Sequence, residues 1–592
     1  MTTVLVILIA TVAMLVFEVV RIDVVAIVCM LALAWTGALT PQEAFSGFSS
    51  NAVIAMMAVM ILGQGIAKTG IMDRFSQAVL KKAGTSRPRV IGLMSLSVGM
   101  LSGFIQNIGA AALFLPGILN ISRRGKIPAS ALIMPIGFSA ILGGTLSMVG
   151  SGPLILINDL LRNADLTPYG LFSVTPVGIL LLLSGIGFFF FVGKFVLPHS
   201  ESTGNVVSEQ DRLIEALHLP HHIWHYTIPQ NSALIGKTTE QSGIWEKFQL
   251  NILGIAKGKD VEYAPWRETK FEAGQEMVLL GSEQAVTKFA SAYGLIHQGR
   301  NDRLSGLNDP DRAGFAEVII PPRSEMVGQT IRKFSLRKRY AVEPVMMFST
   351  GKEIRGDFSD HRILPGDTMV VYGLWEKMSD LKASPDFVVA TPFAVEKKDQ
   401  KKVWAASLCF LCAIGLAMAG APISMAFFTG ATAMVLTRVL AIQEAYQAIE
   451  WKVVFLLAGL IPLGVAMQKT GTAAFLAEKV MMLVQGGHPI LIVLTIAVLS
   501  TLFSLFMSNV GAIVVLAPLV MSMAQIGGLD PRPLALMATV CTANSFMLPT
   551  HQVNALLMSA GGYRNADYFK AGSGMTLIFL VVVVTMFHFL YL

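Results

Sequence analysis

Two asparagines, Asn107 and Asn509, stand in matching breaks of the apolar sequence. Residues 102–110 read SGFIQNIGA and residues 504–512 read SLFMSNVGA, and every matched position is separated by 402 residues. Glycine and asparagine weaken a helix, and hydrocarbon cannot satisfy the polar backbone groups that they leave free. Segments of this kind are therefore expected only where they line a cavity inside the protein.

The freed backbone groups of such a break can bind ions of both signs. Carbonyl oxygens at the C-terminal end of a broken helix are suitable ligands for a hard cation. The N-terminal ends of half-helices, with the amide groups of Gly109 and Gly511, suit an anion. No arginine or lysine lies in either break, so dipoles and hydroxyl groups would hold the anion and release it easily. Two breaks in corresponding halves of a chain are typical of a transporter's substrate site.

The composition indicates that most of the chain lies in a lipid bilayer. Of 592 residues, 54% are hydrophobic and 14% are charged, and the mean hydropathy is +0.62, values that a soluble domain rarely has. The net charge of +7 comes from basic residues scattered through short loops. The positive-inside rule expects that distribution, which argues against a nucleic-acid partner. The four cysteines lie in apolar segments and are predicted to be buried.

Apolar runs long enough to cross a bilayer fall into two groups, which predict transmembrane repeats at residues 1–196 and 403–592. In the first group the runs are at 3–17, 24–39, 51–68, 90–122, 129–161 and 173–196, with an amphipathic stretch at 71–82. In the second group they are at 403–419, 423–440, 453–469, 489–524, 533–558 and 572–592, with an amphipathic stretch at 472–484. The first run lacks the features of a cleaved signal peptide and is interpreted as a retained span.

The order of these runs predicts that the second repeat is inverted relative to the first. If the passages at 90–122 and 489–524 are re-entrant hairpins, each repeat crosses the membrane five times, and an odd number of crossings inverts the next repeat. Basic residues such as Lys81, Arg438 and Lys452 then fall on one side, whereas the opposite loops contain almost none. The positive-inside rule assigns the basic side to the cytoplasm and both termini to the outside of a plasma or inner membrane.

The polar block between the repeats is itself duplicated. The pattern of residues 228–238 reappears at 320–330, and further matches keep the same offset of 92. Short runs rich in β-forming residues alternate there with turn residues and polar, helix-like stretches. The pattern predicts two α+β domains in tandem, at residues 197–300 and 301–402, on the cytoplasmic side.

These features resemble the divalent anion/sodium symporter family of the ion transporter superfamily. The resemblance rests on breaks and joints at Asn107 and Asn509, at Gly70 and Gly471, at residues 143–145 and 543–546, and at residues 561–564. The polar block is similar to tandem TrkA carboxy-terminal (RCK-C) domains, through the Gly-Lys-Thr turn at 236–238 and the pair Gly366-Asp367. The resemblance implies a polytopic α-helical membrane protein. It would have two inverted repeats, each with five spans and a re-entrant hairpin, and inserted cytoplasmic RCK-C domains.

The resemblance also implies a site, because the family has a Ser-Asn-Thr motif at each hairpin tip. Hydroxyls and freed carbonyls there coordinate Na⁺, and the asparagine contacts the anion. In this chain Gln106, Ile108 and Val510 replace the first serine and the two threonines. The expected cation ligands are Ser102, Gln106, Asn107, Gly144, Ser151, Ser508, Asn509, Asn544 and Ser545. The expected substrate-binding residues are Asn107, Gly109, Thr145, Ser147, Asn509, Gly511, Thr550, His551, Gln552 and Asn554.

The function expected from these residues is Na⁺-coupled symport of a small divalent oxyanion, either sulfate-like or a dicarboxylate. Na⁺ would be the coupling ion, and no other cofactor is expected. The RCK-C domains would regulate transport, with a small ligand as a further partner, and the protein is expected to be a homodimer.

Other functions would require different residues. A proton-coupled symporter would rely on His551, the titratable group in the breaks. A cation/proton antiporter would need buried carboxylates at the breaks, and the nearest, Asp159, lies toward the end of a span. An RCK-gated cation channel would need a Thr-Val-Gly-Tyr-Gly-like filter or an acidic ring. An enzyme would need a nucleophile paired with a base, or a metal-binding motif. The sequence shows no such pair and no such motif.

Overall fold

The computed structural model describes residues 1–17, 19–84, 86–125, 127–198, 209–220, 222–258, 260–298, 303–310, 312–391, 402–482, 484 and 488–591. The chain divides into two compact units. Met1–Val206 and Lys398–Leu592 form one, called here the helical unit, and Val207–Lys397 forms the other, called the α+β unit. The predicted domain boundary between residues 300 and 301 lies outside the described residues.

The first half of the helical unit is a series of helices separated by short turns and breaks. They are α1 (Thr2–Val16), α2 (Ile22–Trp35), α3 (Pro41–Phe45), α4 (Asn51–Lys68), α5 (Ile71–Ala83), α6 (Arg87–Ser102), α7 (Asn107–Gly125), α8 (Ser130–Gly143), α9 (Gly152–Asn163), α10 (Thr175–Phe191) and α11 (Gly193–Val196). The Ser50 hydroxyl begins α4 by accepting a hydrogen bond from the backbone N–H of Val53 at 3.2 Å. Gly70 joins α4 to α5 with a φ of +70°, which favours glycine.

The α+β unit follows α11 along the chain. Its helices are α12 (Glu209–Ala216), α13 (Ile244–Phe248), α14 (Glu283–Tyr293), α15 (Ile331–Phe334), α16 (Leu336–Tyr340) and α17 (Trp375–Ala383). Its strands are β1 (Ile223–Thr227), β2 (Asn251–Lys257), β3 (Asp260–Tyr263), β4 (Glu276–Leu280), β5 (Ile296–His297), β6 (Ala313–Ile319), β7 (Glu343–Ser349), β8 (Lys352–Arg355), β9 (Thr368–Leu374) and β10 (Val388–Val389).

The described strands form two antiparallel sheets with the same topology. The orders are β3-β2-β4-β1-β5 and, in the corresponding direction, β8-β7-β9-β6-β10. A register shift lies between Ile252 and Gly254 in one sheet and between Pro344 and Met346 in the other, and these positions differ by 92. The duplication seen in the sequence is therefore present in strand order and in an irregularity of pairing.

The second half of the helical unit repeats the helix order of the first. Its helices are α18 (Val403–Met418), α19 (Ile423–Leu436), α20 (Ile442–Ala448), α21 (Trp451–Lys469), α22 (Thr472–Met481), α23 (Pro489–Phe506), α24 (Asn509–Ile526), α25 (Pro531–Cys541), α26 (Gln552–Gly561) and α27 (Asn565–Tyr591). Gly471 joins α21 to α22 with a φ of +72°, as Gly70 joins α4 to α5. Helices α1 to α10 thus correspond in order to α18 to α27.

The two halves pack together chiefly through α2 against α21 and α4 against α19. In this correspondence α2 matches α19 and α4 matches α21. The two contacts therefore join equivalent pairs of helices, with the roles of the two halves exchanged. The backbones approach closely, because a β-carbon on Gly459 of α21 would lie 2.6 Å from the carbonyl carbon of Ala26 in α2. Glycine at that position therefore permits the contact.

Two ion pairs cross between the halves in a reciprocal way. Lys68 at the end of α4 pairs with Glu444 of α20, and Lys469 at the end of α21 pairs with Glu43 of α3 at 2.8 Å. Lys68 corresponds to Lys469 and Glu43 to Glu444, each with an offset of 401. Each half therefore supplies the lysine of one pair and the glutamate of the other.

Apolar helices occur at the predicted spans, and the passages predicted to be broken are broken. The passage at 90–122 forms α6 and α7, and the span at 129–161 forms α8 and α9. In the described residues, five helices are long and apolar enough to cross a bilayer, and shorter apolar helices accompany them. The chain is a multi-pass helical membrane protein, as its composition predicted.

The prediction that all four cysteines are buried was wrong for one of them. Cys29, Cys409 and Cys541 are buried, but Cys412 is exposed on α18. Leu408 on the same helix is 64% exposed, so Cys412 belongs to an outward-facing apolar surface. Hydropathy cannot separate this surface from the core, because residues that face lipid and residues that face protein are equally apolar.

Candidate functional site

A cavity of about 230 Å³ lies in the helical unit where the two breaks meet, and we call it the site cavity. It is lined from both halves of the chain. Eight of the predicted site residues line it, namely Gln106, Asn107, Ser151, Ser508, Asn509, Thr550, His551 and Gln552. Residues 402 positions apart in the sequence are thus brought to one place.

Four helices begin at the site cavity. Helix α7 begins at Asn107, α24 at Asn509, α9 at Gly152 and α26 at Gln552, and each of these residues lines the cavity. The first backbone N–H groups of a helix have no partner within it, and the helix dipole makes this end positive. Four such ends around one cavity favour an anion there without a charged side chain at the tips.

A hydroxyl group holds the asparagine of the first break. The Ser102 hydroxyl, at the end of α6, lies 2.7 Å from Oδ1 of Asn107 and 2.7 Å from the carbonyl oxygen of Ala140. Gly144 provides the space for the amide, because a β-carbon there would lie 2.6 Å from Oδ1 of Asn107. The position of the Asn107 side chain therefore depends on the Ser102 hydroxyl and on the lack of a side chain at Gly144.

The second break repeats this arrangement with an additional hydroxyl. The Ser504 hydroxyl lies 3.1 Å from Oδ1 of Asn509 and 2.5 Å from the carbonyl oxygen of Thr542. These three residues correspond to Ser102, Asn107 and Ala140 with an offset of 402. The hydroxyl of Ser545 donates to Oδ1 of Asn509 at 3.2 Å and lies 2.8 Å from the Ser504 hydroxyl. Asn509 is thus held by two hydroxyls.

Two residues of the second half use their side chains to cap the starts of helices. The Ser508 hydroxyl caps α24 by accepting from the backbone N–H of Gly511 at 3.1 Å, so this amide is already bonded. Nδ1 of His551 accepts from the backbone N–H of Val553 at 3.2 Å at the start of α26. The accepting nitrogen carries no proton, so Nε2 carries the proton of the neutral ring. His551 can therefore offer a donor while it caps the helix.

Other predicted residues do not line the cavity and instead donate hydrogen bonds to backbone carbonyl oxygens. Thr145 donates to the carbonyl oxygen of Leu142 at 2.6 Å, and Ser147 donates to that of Gly103. Asn554 donates to the carbonyl oxygen of Ser545 at 2.9 Å. These bonds fix the broken spans, and none of Thr145, Ser147 and Asn554 lines the site cavity.

Asn544 has both ends of its amide occupied in the described structure. Its Nδ2 donates to Thr501 at 3.2 Å, and its Oδ1 accepts from Thr576 at 3.0 Å. Gly109 does not line the site cavity. The structure thus separates the predicted set into residues at the cavity and residues that support its walls.

Three residues with polar side chains at the site were not among the predicted ones. Ser504 lines the cavity, and the offset of 402 applied to Ser102 would have found it. Glu450 and Lys452 also line the cavity, and both are exposed at the start of α21. No local signal in the sequence connects Glu450 and Lys452 with the breaks, because only helix packing brings the start of α21 to the cavity beside α24.

The chain also matches a known protein family along nearly its whole length. The family model described as citrate transporter matches residues 12–541 and 480–592. The chain belongs to the citrate transporter family. This membership agrees with the resemblance to anion symporters and identifies a membrane transporter rather than an enzyme.

Relatives of this citrate transporter family member are similar over different parts of the chain. The uncharacterized transporter YfbS of Escherichia coli is 29% identical over 97% of this chain and 96% of its own length. The uncharacterized transporter sll0640 of Synechocystis is also 29% identical, over 97% of this chain and 94% of its own length. The probable sodium/sulfate cotransporter 3 of Chlamydomonas reinhardtii is 22% identical over 56% of this chain and 38% of its own length.

Proposed function

We propose that this citrate transporter family member is a Na⁺-coupled symporter of a small divalent oxyanion, sulfate-like or a dicarboxylate. The observation that carries the proposal is the meeting of four helix N-termini and two asparagine amides at the site cavity. Helix N-termini and amide N–H groups recognise oxyanions without the strong attraction of a buried arginine. The site would therefore bind and also release its substrate, as transport requires.

The amide oxygens of the same asparagines support a cation site beside the anion. Ser102 and Ser504 hold Oδ1 of Asn107 and of Asn509 near the carbonyl oxygens of Ala140 and Thr542. Hydroxyl, amide and carbonyl oxygens are the ligands that hard cations prefer. Coupling is needed on energetic grounds, because moving one negative charge inward against 100 mV costs about 2.3 kcal/mol. Two monovalent cations imported with a divalent anion would offset this electrical cost.

We also propose that the two halves are inverted repeats and that the α+β unit lies in the cytoplasm. The reciprocal ion pairs support this arrangement. In the predicted topology Lys68 and Glu444 are both cytoplasmic, whereas Lys469 and Glu43 are both outside, so each pair joins residues on one side. The site cavity extends to Lys452, on the predicted cytoplasmic side, which corresponds to an inward-open state.

The α+β unit is proposed to be a pair of regulatory RCK-C domains that bind a small ligand in a homodimer. Its duplicated antiparallel sheets support this proposal. A chain that lacks residues 201–399 should then keep part of its coupled uptake. Complete loss of uptake in a well-folded dimer of this variant would make the unit part of the transport cycle.

Uptake into proteoliposomes tests the proposed function. The purified chain is reconstituted, and uptake of labelled sulfate and of labelled succinate is measured with an inward Na⁺ gradient, with a proton gradient, or with neither. We expect uptake of one of these anions to require the Na⁺ gradient. Uptake that follows the proton gradient alone and disappears in His551→Ala would instead make the protein a proton symporter, because His551 lines the cavity.

A further inference from the structure

Two cavities of the helical unit are walled by corresponding helices of the two halves. In the site cavity, Lys452 and Leu456 of α21 face α26. In the second cavity, of about 250 Å³, Asn51 and Ala55 of α4 face α9, and these two residues correspond to Lys452 and Leu456 with an offset of 401. Within the described residues the two cavities have no lining residue in common. Of these two cavities, only the site cavity is lined by Asn107 and Asn509.

A buried carboxylate joins the two walls of the second cavity. Asp159 of α9 is 7% exposed, and its Oδ2 accepts a hydrogen bond from the backbone N–H of Ala52 at 2.6 Å. Ala52 lies in the first turn of α4, so the carboxylate sits at the positive end of that helix. Arg162 donates to Oδ1 of Asp159 at 2.9 Å. Charge-assisted hydrogen bonds of this kind are stronger than neutral ones.

The other half has no carboxylate at the corresponding position. Helices α9 and α26 correspond with an offset of 400, since their N-cap residues are Ser151 and His551. Ser559 then corresponds to Asp159. Ser559 is exposed, and in the described part of the chain no hydrogen bond joins its side chain to α21. Within the described residues, the hydrogen bond that joins the two walls of the second cavity therefore has no counterpart in the site cavity.

We propose that Asp159 is a gate residue that keeps α9 on α4 and so keeps the second cavity separate from Asn107 and Asn509, while the site cavity reaches them. The inference rests on the proposed symport by inverted repeats, in which the site would open to the two sides of the membrane in turn through corresponding helices of the two halves. In the opposite state α9 would leave α4 and α26 would approach α21. The carboxylate at Asp159 and the hydroxyl at Ser559 make the first closure stronger than the second, so the resting protein favours the state described here.

The test compares the accessibility of two corresponding positions in the full chain. The four native cysteines are replaced, and a single cysteine is introduced as Ala55→Cys in the second cavity or as Leu456→Cys in the site cavity. Ala55 and Leu456 are 2% and 3% exposed, so each cysteine reports the opening of its own cavity. The rate of modification by a membrane-impermeant maleimide is measured in purified protein.

We expect Asp159→Ser to raise the labelling rate of Ala55→Cys about tenfold and to lower that of Leu456→Cys. The second variant, Ser559→Asp, should change both rates in the same directions, because it strengthens closure of the site cavity. Asp530→Ser is the matched control. Asp530 also caps a helix, accepting from the backbone N–H of Arg532 at 2.9 Å, but it bonds within its own helix, so neither rate should change.

Two results would overturn the gate. One is an unchanged pair of rates in both Asp159→Ser and Ser559→Asp. The other is faster labelling of Ala55→Cys with no decrease at Leu456→Cys, which would mean local loosening without linkage between the cavities. Sulfate and succinate uptake by the cysteine-free parent is measured in parallel. Uptake without the expected labelling would reject the gate alone, whereas the expected labelling without uptake would reject the proposed substrates alone.

Discussion

The two breaks at Asn107 and Asn509, called here the first and the second tip, have the same backbone arrangement. They differ in the groups that hold the asparagine amide. Asn509 is held by the hydroxyls of Ser504 and Ser545. Asn107 is held by the hydroxyl of Ser102, and the space beside it depends on Gly144. The offset of 402 that relates the tips places Gly143 where the second half has Ser545, so the first tip has one oxygen fewer.

We expect this difference to give the two halves of the proposed site different roles. Hydroxyl and carbonyl oxygens around Asn509 favour a cation, so the second tip should hold the tighter cation site. The first tip relies on the fit of an amide against a glycine, and it should respond most to changes in volume. Substitutions at the two tips should therefore have unequal effects on transport.

Removal of either asparagine amide should abolish transport. Asn509→Ala and Asn107→Ala should each lower uptake by about a hundredfold or more, because the substitution would remove an oxygen from the proposed cation site and an N–H from the proposed anion site and would leave buried polar groups unpaired. The measurement is initial uptake in proteoliposomes, with size-exclusion chromatography to check folding. Uptake near the wild-type rate in either variant would move the binding site away from the tips.

Added volume should damage the first tip strongly. In Gly144→Ala the new β-carbon would lie 2.6 Å from Oδ1 of Asn107, so the amide must move, and we expect uptake to fall by about tenfold or more. Gly92→Ala on α6 is the matched control, since nothing lies within 4 Å of a β-carbon there. If Gly144→Ala transports as well as Gly92→Ala, the fit of Asn107 against Gly144 is unimportant.

Loss of a single hydroxyl should lower the apparent affinity of transport for Na⁺, and the decrease should differ between the two tips. Ser102→Ala removes the hydroxyl at Asn107, whereas Ser545→Ala leaves Ser504 beside Asn509. With about 1 kcal/mol for a hydrogen bond, the half-saturating Na⁺ concentration should rise about fivefold in Ser102→Ala and about twofold in Ser545→Ala. Equal increases would remove the proposed distinction between the tips.

The smallest effect is expected at the mouth of the site cavity. Lys452 lines this cavity, whereas the corresponding Asn51 lines the second cavity. Because Lys452 is exposed, Lys452→Gln should raise the KM for the anion about two- to threefold at low salt and hardly at high salt. Lys570→Gln, an exposed lysine outside the cavity, serves as control. A change in kcat without a change in KM would argue against anion attraction.

Sequence reasoning located the elements of the site because their signals are local. The breaks at Asn107 and Asn509 and the joints at Gly70 and Gly471 are marked by residues that interrupt helices. The constant offset then indicated which segments correspond. The same offset would have added Ser504 to the predicted site, since it applies to Ser102.

Other features depend on contacts between helices that are distant in the sequence. The bond from Ala52 to Asp159 joins residues 107 positions apart, and Gly144 matters because of the atoms placed beside it. Lys452 reaches the site cavity because α21 packs against α24. Local patterns in the sequence contain no information about such distances, so these roles required the structure.

The two reciprocal ion pairs indicate how a polypeptide with only one of the two halves could associate with a second copy of itself. In an isologous interface, residue i of one subunit contacts residue j of the other, and j contacts i in return. Lys68 with Glu444 and Lys469 with Glu43 follow this rule, with the two halves in place of two subunits. A polypeptide that carried one repeat could therefore form both pairs by associating with a second copy of itself, and in this protein a single chain supplies both partners of that homodimer-like interface.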